Sequence, residues 1–168
     1  MNIKIINYKI VLKEIGIGLI FIIIFSNIIS YLRKPALSST QLPQLELTLL
    51  DGSSYIPKKN KALILHFWAI WCPTCKLEAA NIETISKTYE VLTISVNSGE
   101  GEKIQNYLNK RGLTFKVVND KEGVLAKQFH VEAYPSTFIY DANGTLKFSE
   151  VGYTSTVGFL VRMRMIED

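Results

Sequence analysis

The fold is decided by one stretch, Phe67-Trp68-Ala69-Ile70-Trp71-Cys72-Pro73-Thr74-Cys75, which contains the only two cysteines of the chain. The apolar run 63–68 before the cysteines is typical of a buried strand. The segment 76–89 after them predicts a helix, because its apolar residues recur at helical spacing: Ala79, Ile82, Ile85 and Tyr89. Pro73 suits the first turn of this helix, where its missing N–H group costs nothing. The cysteine pair is therefore expected where a central strand turns into a helix.

A cysteine at the start of a helix is chemically activated. The first turn carries unpaired N–H groups and the positive end of the helix dipole, which stabilise a thiolate. We expect Cys72 at the exposed edge of this turn and Cys75 one turn further on, in a more covered position. This arrangement predicts thiol–disulfide exchange, in which Cys72 attacks a partner disulfide and Cys75 then attacks Cys72 to release the partner.

Two other uses of the cysteine pair stay open. One is half of a structural zinc site, which would need both histidines, His66 and His130, to complete four ligands. The other is an inert disulfide, although a bridge that closes so short a loop contributes little stability. Exchange is favoured over the zinc site because His66 lies inside the predicted central strand.

The remaining hydrophobic patterns predict a mixed sheet covered by helices. Strands are predicted over 61–68, 91–96 (a parallel partner), 115–118, 137–140 and 145–151, the last two joined by a turn at Asn143-Gly144. A further hairpin over 45–56, with its turn at Asp51-Gly52, is expected at the sheet edge. Helices are predicted over 99–110, 122–130 and 155–166. In the last of these the residues expected to face inward are Val157, Leu160, Val161 and Met165.

Residues 15–32 form an uncharged run of 18 residues, which is near the lower length limit for a membrane-spanning helix. A cleaved signal peptide is the alternative, but the run is long for a signal core and no small-x-small cleavage site follows it. Three lysines precede the run, against Arg33 and Lys34 after it, so the positive-inside rule places the N-terminus in the cytoplasm. We therefore expect a membrane anchor over 1–34, a linker over 35–43 and one domain over 44–168.

The charge of the chain gives no support to nucleic-acid binding. Of the net charge of +4, residues 1–32 contribute +2 through three lysines and one glutamate. The remaining 16 basic and 14 acidic residues contribute the other +2, and they are spread along the sequence without a basic cluster. We therefore expect no nucleic-acid partner.

The pattern Phe-Trp-Ala-x-Trp-Cys-Pro-x-Cys after a hydrophobic strand resembles the active site of the thioredoxin-like superfamily. The resemblance runs from about Leu42 to the C-terminus. Residues 131–138 resemble the cis-proline loop of the family, residues 141–144 its hairpin turn, and Gly152 the glycine that usually follows. Glu78 matches an acidic residue of the membrane-anchored, periplasm-facing TlpA/ResA branch, whose extra helix and strand resemble 99–118. A plain thioredoxin has a buried aspartate where this chain has His66.

The resemblance implies a thioredoxin-like α/β fold, with a central mixed β-sheet flanked by helices and an N-terminal transmembrane helix. It implies a cis bond before Pro135, with Tyr134 and Pro135 facing the cysteines and the Tyr134 backbone available to an extended partner segment. Glu78 would accept a proton from Cys75 or modulate both thiols, the alternative being solvated surface.

Three other residues near the cysteines are assigned roles. Trp71 would form an apolar wall beside the thiol and part of the docking surface. Pro73 and Thr74, between the cysteines, would tune the stability of the thiolate and hence the redox potential. His66 is expected to be a core histidine with a satisfied hydrogen bond.

The expected function is a membrane-tethered thiol–disulfide oxidoreductase that needs no metal or organic cofactor. The resemblance implies a single-pass protein of the bacterial inner membrane with its catalytic domain in the periplasm. Its partners would be client protein thiols or disulfides, as in cytochrome c maturation, and a membrane thiol protein that donates or accepts electrons. The alternatives are a disulfide-forming oxidase, a thiolate module for a soft metal ion such as Cu(I), and a docking domain with a vestigial site.

Overall fold

The computed structural model describes residues 13–18, 20–21, 24–25 and 40–167 of the chain. The described residues before position 40 are helical, and much of the predicted anchor at 15–32 lies outside the described part. Among the described residues, no helix is long and apolar enough to cross a membrane.

The strands and helices predicted for residues 44–168 are present, with bounds that differ by a few residues. The strands are β1 (Leu47–Thr48), β2 (Ser54–Tyr55), β3 (Leu63–Trp68), β4 (Glu90–Val96), β5 (Lys116–Asp120), β6 (Ser136–Tyr140) and β7 (Leu146–Val151). The helices are α1 (Pro73–Ser86), α2 (Gly101–Arg111), α3 (Val124–Gln128) and α4 (Thr156–Glu167). Tyr89, expected on the inner face of α1, lies beyond its end and is half-buried.

The main sheet has the strand order β5-β4-β3-β6-β7. The central strand β3 runs parallel to β4 and antiparallel to β6, as a mixed sheet requires. β1 and β2 form a separate two-stranded antiparallel sheet. Because each face of the main sheet is covered, all six residues of β3 are buried.

The alternation of side chains along β3 divides the core into two layers. Ile64 and Trp68 face the layer that contains the inner residues of α1, α2 and α4. Leu63, Leu65 and Phe67 face the layer that contains Ala126 of α3 and Tyr55 of the small hairpin. His66 shares the parity of Ile64 and Trp68, so its side chain lies on the α1 side of the sheet.

The prediction of which face of α4 is buried was wrong. Phe159 and Met163 are the residues that are fully buried, both 0% exposed, and they pack in the same layer as the inner residues of α1. The four residues expected to face inward are 39% to 67% exposed: Val157, Leu160, Val161 and Met165. The helix is apolar on both sides, so the spacing of its aliphatic residues does not identify the stripe that the core covers.

A carboxylate fastens α1 to the segment before β5. One oxygen of Glu83 accepts hydrogen bonds from the backbone N–H groups of Thr114 (2.6 Å) and Phe115 (3.2 Å). The other oxygen accepts from the Thr114 hydroxyl at 2.7 Å. Burial acts to raise the pKa of Glu83, but the hydrogen bonds from Thr114 and Phe115 and the charge of Lys87 together outweigh it and hold the pKa below its ordinary value.

Replacing Glu83 with glutamine is expected to lower the free energy of unfolding at neutral pH by about 1.5–3 kcal/mol, because hydrogen bonds to a charged acceptor are lost. Since the pKa is lowered in the folded state, this stabilisation is present above the ordinary value of 4.5 and is lost as the pH falls through the folded-state value. Urea midpoints at neutral and acidic pH measure both effects, with the exposed Glu132→Gln as control. A difference that persists undiminished in acid would contradict this role of the carboxylate.

Candidate active site

The two cysteines lie where β3 gives way to α1, as predicted. Cys72 is the N-cap residue of α1, and Pro73 occupies the first helical turn. The Sγ atom of Cys72 accepts a hydrogen bond from the backbone N–H of Cys75 at 3.3 Å. Negative charge on this sulfur would therefore face an N–H donor and the positive end of the helix dipole.

Both cysteines are free thiols, and Cys72 is more covered than the sequence predicts. Cys72 is 5% exposed and Cys75 is 2% exposed, so the expected exposed position of Cys72 was wrong, although the order of exposure was right. Cys72 is covered because its Sγ lies 3.5 Å from the carbonyl oxygen of Tyr134. Burial, followed by the hydrogen bond with Cys72, raises the pKa of the Cys75 thiol far above its ordinary value.

The proline loop lies against the first cysteine. The Tyr134–Pro135 peptide bond is cis, as the resemblance implies, and Pro135 is buried. The carbonyl oxygen of Pro135 accepts a hydrogen bond from the N–H of Gly152 at 2.8 Å, which ties the loop to the end of β7. The loop therefore places the backbone of Tyr134 next to the sulfur of Cys72.

Two aromatic side chains border Cys72. The rings of Trp71 and Tyr134 meet edge to face, with centroids 5.6 Å apart. Trp71 is 54% exposed, and its Nε1–H donates to the carbonyl oxygen of Asn97 at 3.1 Å. Thr74 is half-buried in the first turn of α1. The surface beside the thiol is thus apolar and partly open, which suits contact with another protein.

Glu78 is fully buried, so the alternative of a solvated surface residue was wrong. Its Oε1 atom accepts a hydrogen bond from the backbone N–H of Thr154 at 2.6 Å. Burial raises the pKa of Glu78 to about 8, although the hydrogen bond from Thr154 acts in the opposite direction. Charge on Glu78 also raises the pKa of Cys75, which lies one turn earlier on the same side of α1.

His66 is a buried histidine with a hydrogen-bond partner, as predicted. Its Nδ1 atom lies 2.9 Å from the Oγ1 atom of Thr137, the residue opposite it on β6. Burial lowers the pKa of His66 to about 3, so the ring is neutral at physiological pH. Within the part of the chain that the structure describes, no group of three or more His, Cys, Asp or Glu residues could hold a metal ion.

Sequence reasoning missed Thr137 and Thr154. Thr137 could have been found from strand pairing, because the register of β3 and β6 places it opposite His66. Thr154 contributes a backbone N–H from the segment before α4, and no side-chain pattern signals such a contact.

Comparison with known proteins identifies the family to which the chain belongs. The family model described as "AhpC/TSA family" matches residues 36–149, more than half of the chain. The chain belongs to the AhpC/TSA family. A "Thioredoxin-like protein" of Haemophilus influenzae is similar to this AhpC/TSA protein, with 28% identity over 163 residues that cover 95% of this chain and 96% of that one.

Similar proteins carry names from disulfide chemistry. The "Thiol-disulfide oxidoreductase ResA" of Geobacillus kaustophilus is 29% identical over 130 residues, covering 74% of each chain. The crystal structure of a thiol:disulfide interchange protein of the thioredoxin family from Chlorobium tepidum matches with a TM-score of 0.68 and 25% identity. That match covers 77% of this chain and 97% of the other. This AhpC/TSA protein is a thiol–disulfide oxidoreductase with a thioredoxin-like fold.

Proposed function

We propose that this AhpC/TSA protein is a membrane-tethered periplasmic oxidoreductase that reduces disulfides of client proteins through Cys72-Pro73-Thr74-Cys75. The proposal rests on the position of the Cys72 Sγ atom. This atom lies at the N-terminus of α1 and 3.5 Å from the Tyr134 carbonyl oxygen. One sulfur is thus stabilised for attack and stands beside a backbone edge that an extended client segment can pair with.

In the first step the Cys72 thiolate attacks one sulfur of the client disulfide. The Cys72–client bond forms, the client S–S bond breaks, and the client's second sulfur leaves as a thiolate that takes a proton from solvent. The backbone N–H of Cys75, in the first turn of α1, donates a hydrogen bond to the Cys72 sulfur and so favours the attacking thiolate. Trp71 and Tyr134 would exclude water from one side of the mixed disulfide, while Pro73 and Thr74 set the geometry of the turn.

In the second step Cys75 resolves the mixed disulfide. Its thiol has to lose a proton in a buried site, and Glu78 is the carboxylate whose charge couples to it. Glu78 takes this proton, the Cys75 thiolate attacks Cys72, and the Cys72–client bond breaks with release of the client thiolate. Two electrons have then moved from the protein to the client, and the Cys72–Cys75 disulfide remains.

The proposal includes the placement of the enzyme in the cell. Residues 1–34 would anchor it in the bacterial inner membrane, 35–43 would be the linker, and 44–168 would be the catalytic domain in the periplasm, where disulfides persist. A membrane thiol protein would return electrons to the Cys72–Cys75 disulfide. The resemblance to the TlpA/ResA branch supports the proposal that the clients are proteins of the kind reduced in cytochrome c maturation.

The reduction potential of the Cys72/Cys75 couple tests the direction of electron flow. We expect a value near that of thioredoxin, about −270 mV, measured by equilibration of the full chain in detergent with a thiol redox buffer. A value near −120 mV would identify a disulfide donor and overturn the reductase proposal. Stoichiometric Cu(I) binding by the reduced protein without disulfide turnover would instead support a metal-binding module.

A further inference from the structure

One oxygen of Glu78 has no hydrogen-bond partner among the described residues although it is buried. This atom, Oε2, lies 3.8 Å from the Nε2 atom of His66, about 0.6 Å beyond the usual N–H···O range. Buried carboxylate oxygens without a partner are uncommon and costly. In the described part of the chain, the Nε2 atom of His66 is therefore the only polar atom found near Oε2.

The pair is not a salt bridge, because burial keeps His66 neutral. A neutral imidazole has one donor and one acceptor nitrogen, and the two can exchange. In one tautomer Nδ1 accepts from the Thr137 hydroxyl and the Nε2–H faces an ionised Glu78. In the other, Nδ1 donates to Thr137 and the Nε2 lone pair faces a protonated Glu78. Because a hydroxyl both donates and accepts, neither arrangement leaves Thr137 without its partner.

We propose that His66 is the positioning residue that holds Glu78 ready to exchange a proton with Cys75. The inference rests on the proposed function, and it concerns the resolving step. The ring keeps the tautomer in which Nδ1 accepts from the Thr137 hydroxyl and the Nε2–H faces Oε2, so it favours the ionised form of Glu78 that accepts the proton of Cys75. The Cys75 thiolate then forms the bond to Cys72, and the client thiolate leaves.

The groups around Glu78 come from two elements and one connecting segment. Cys75 of α1 and His66 of β3 lie beside its carboxyl group, and the Thr154 N–H binds its other oxygen. Around the thiol pair, charge on Cys75 also acts on Tyr107 of α2 and on Tyr134. Arg111 of α2 also acts on Tyr107. The influences on the Glu78 carboxyl group itself are burial and the Thr154 hydrogen bond, so among the described residues His66 is the group that can compensate a charge on Glu78 through a dipole.

The resolving step can be observed separately from the first attack. The reduced full chain in detergent is mixed in a stopped-flow instrument with dithiobis(nitrobenzoate), an aromatic disulfide whose thiolate is coloured. The first equivalent of thiolate reports attack by Cys72, and the second reports resolution by Cys75. In the wild type we expect the rate of the second phase to rise through a pH near 8, as Glu78 loses its proton. Glu78→Gln should remove this inflection.

Two substitutions of His66 distinguish positioning from simple packing. Asparagine can replace Nδ1 toward Thr137 but does not reach Glu78, whereas the longer glutamine places an amide near the former Nε2. We expect His66→Asn to move the inflection upward by about one pH unit, which slows the second phase about tenfold at pH 7. His66→Gln should restore part of the difference, and the pH dependence of the first phase should not move.

The proposal is overturned if His66→Asn keeps the wild-type inflection, if His66→Gln restores nothing, or if the effect of His66→Asn persists in a Glu78→Gln background. Should the His66 variants fail to fold, Thr137→Val decides the matter. It keeps His66 but removes the hydroxyl, and it should shift the inflection in the same direction, while an unchanged profile overturns the proposal. Absence of the first phase in the wild type would instead contradict the proposed function itself.

Discussion

Replacing Cys72 with serine is expected to reduce disulfide exchange to the uncatalysed rate, whereas Cys75→Ser is expected to trap a mixed disulfide on Cys72. The two outcomes differ because the proposed mechanism gives the two residues different steps. Cys72 carries the sulfur at the N-terminus of α1, so without it no bond to the client forms. Cys75 is also buried, with a pKa raised by burial, and on the proposal it acts only after the client is bound.

The measurement uses a purified protein with one disulfide as client and separates products on non-reducing gels, with mass spectrometry of the adduct. Thr88→Ser, at an exposed position beyond the end of α1, keeps both cysteines, is the matched control and should turn over without trapping. The assigned roles would be wrong if Cys75→Ser formed no adduct while Cys72 still reacted with an alkylating agent.

The position of the cysteine pair at the start of α1 could be predicted from the sequence because short-range rules determine it. A continuous apolar run predicts the central strand, a proline marks the first turn of the next helix, and two cysteines three residues apart then share that turn. The hairpin at Asn143-Gly144 is similarly local, and β6 and β7 flank it as expected. The cis bond before Pro135 came from family resemblance, since the base rate for an X–Pro bond favours trans.

The burial of Glu78 and Cys72 could not be predicted, because distant segments cover them. Glu78 lies on the inner side of α1, where the segment before α4 donates the Thr154 N–H to it, 76 positions along the chain. Cys72 is covered by the loop that carries Tyr134. Helical spacing places both residues near the start of α1 but contains no information on what packs over them. The same limit applies to His66, whose contact with Glu78 depends on how α1 lies on the sheet.

The raised pKa of Glu78 follows from this burial. A solvated glutamate at position 78 would be ionised well below neutral pH and would be a weak proton acceptor for a thiol. Burial instead raises its pKa to about 8, closer to the range in which a thiol can share its proton. On the proposal, the neutral His66 faces the ionised form of Glu78 with its Nε2–H, while its Nδ1 atom accepts from Thr137.

Truncation of the buried face of α4 is expected to have the largest effect on stability. Phe159→Ala should lower the free energy of unfolding by about 3–5 kcal/mol, because it leaves a cavity in the layer between the sheet and the helices. Val161→Ala, two residues further along the same helix, should change the free energy by less than about 0.5 kcal/mol, since Val161 is 53% exposed.

Both substitutions place alanine in the same helix, but they alter opposite faces and Phe159→Ala also removes the larger side chain. Urea midpoints of the fragment from Lys34 onward, a compact unit of its own, measure both variants under identical conditions; the fluorescence of Trp68 and Trp71 follows unfolding. Aliphatic spacing alone, which places Val161 inward, predicts the larger loss for that residue. A larger loss for Val161→Ala than for Phe159→Ala would therefore show that α4 packs through the other face.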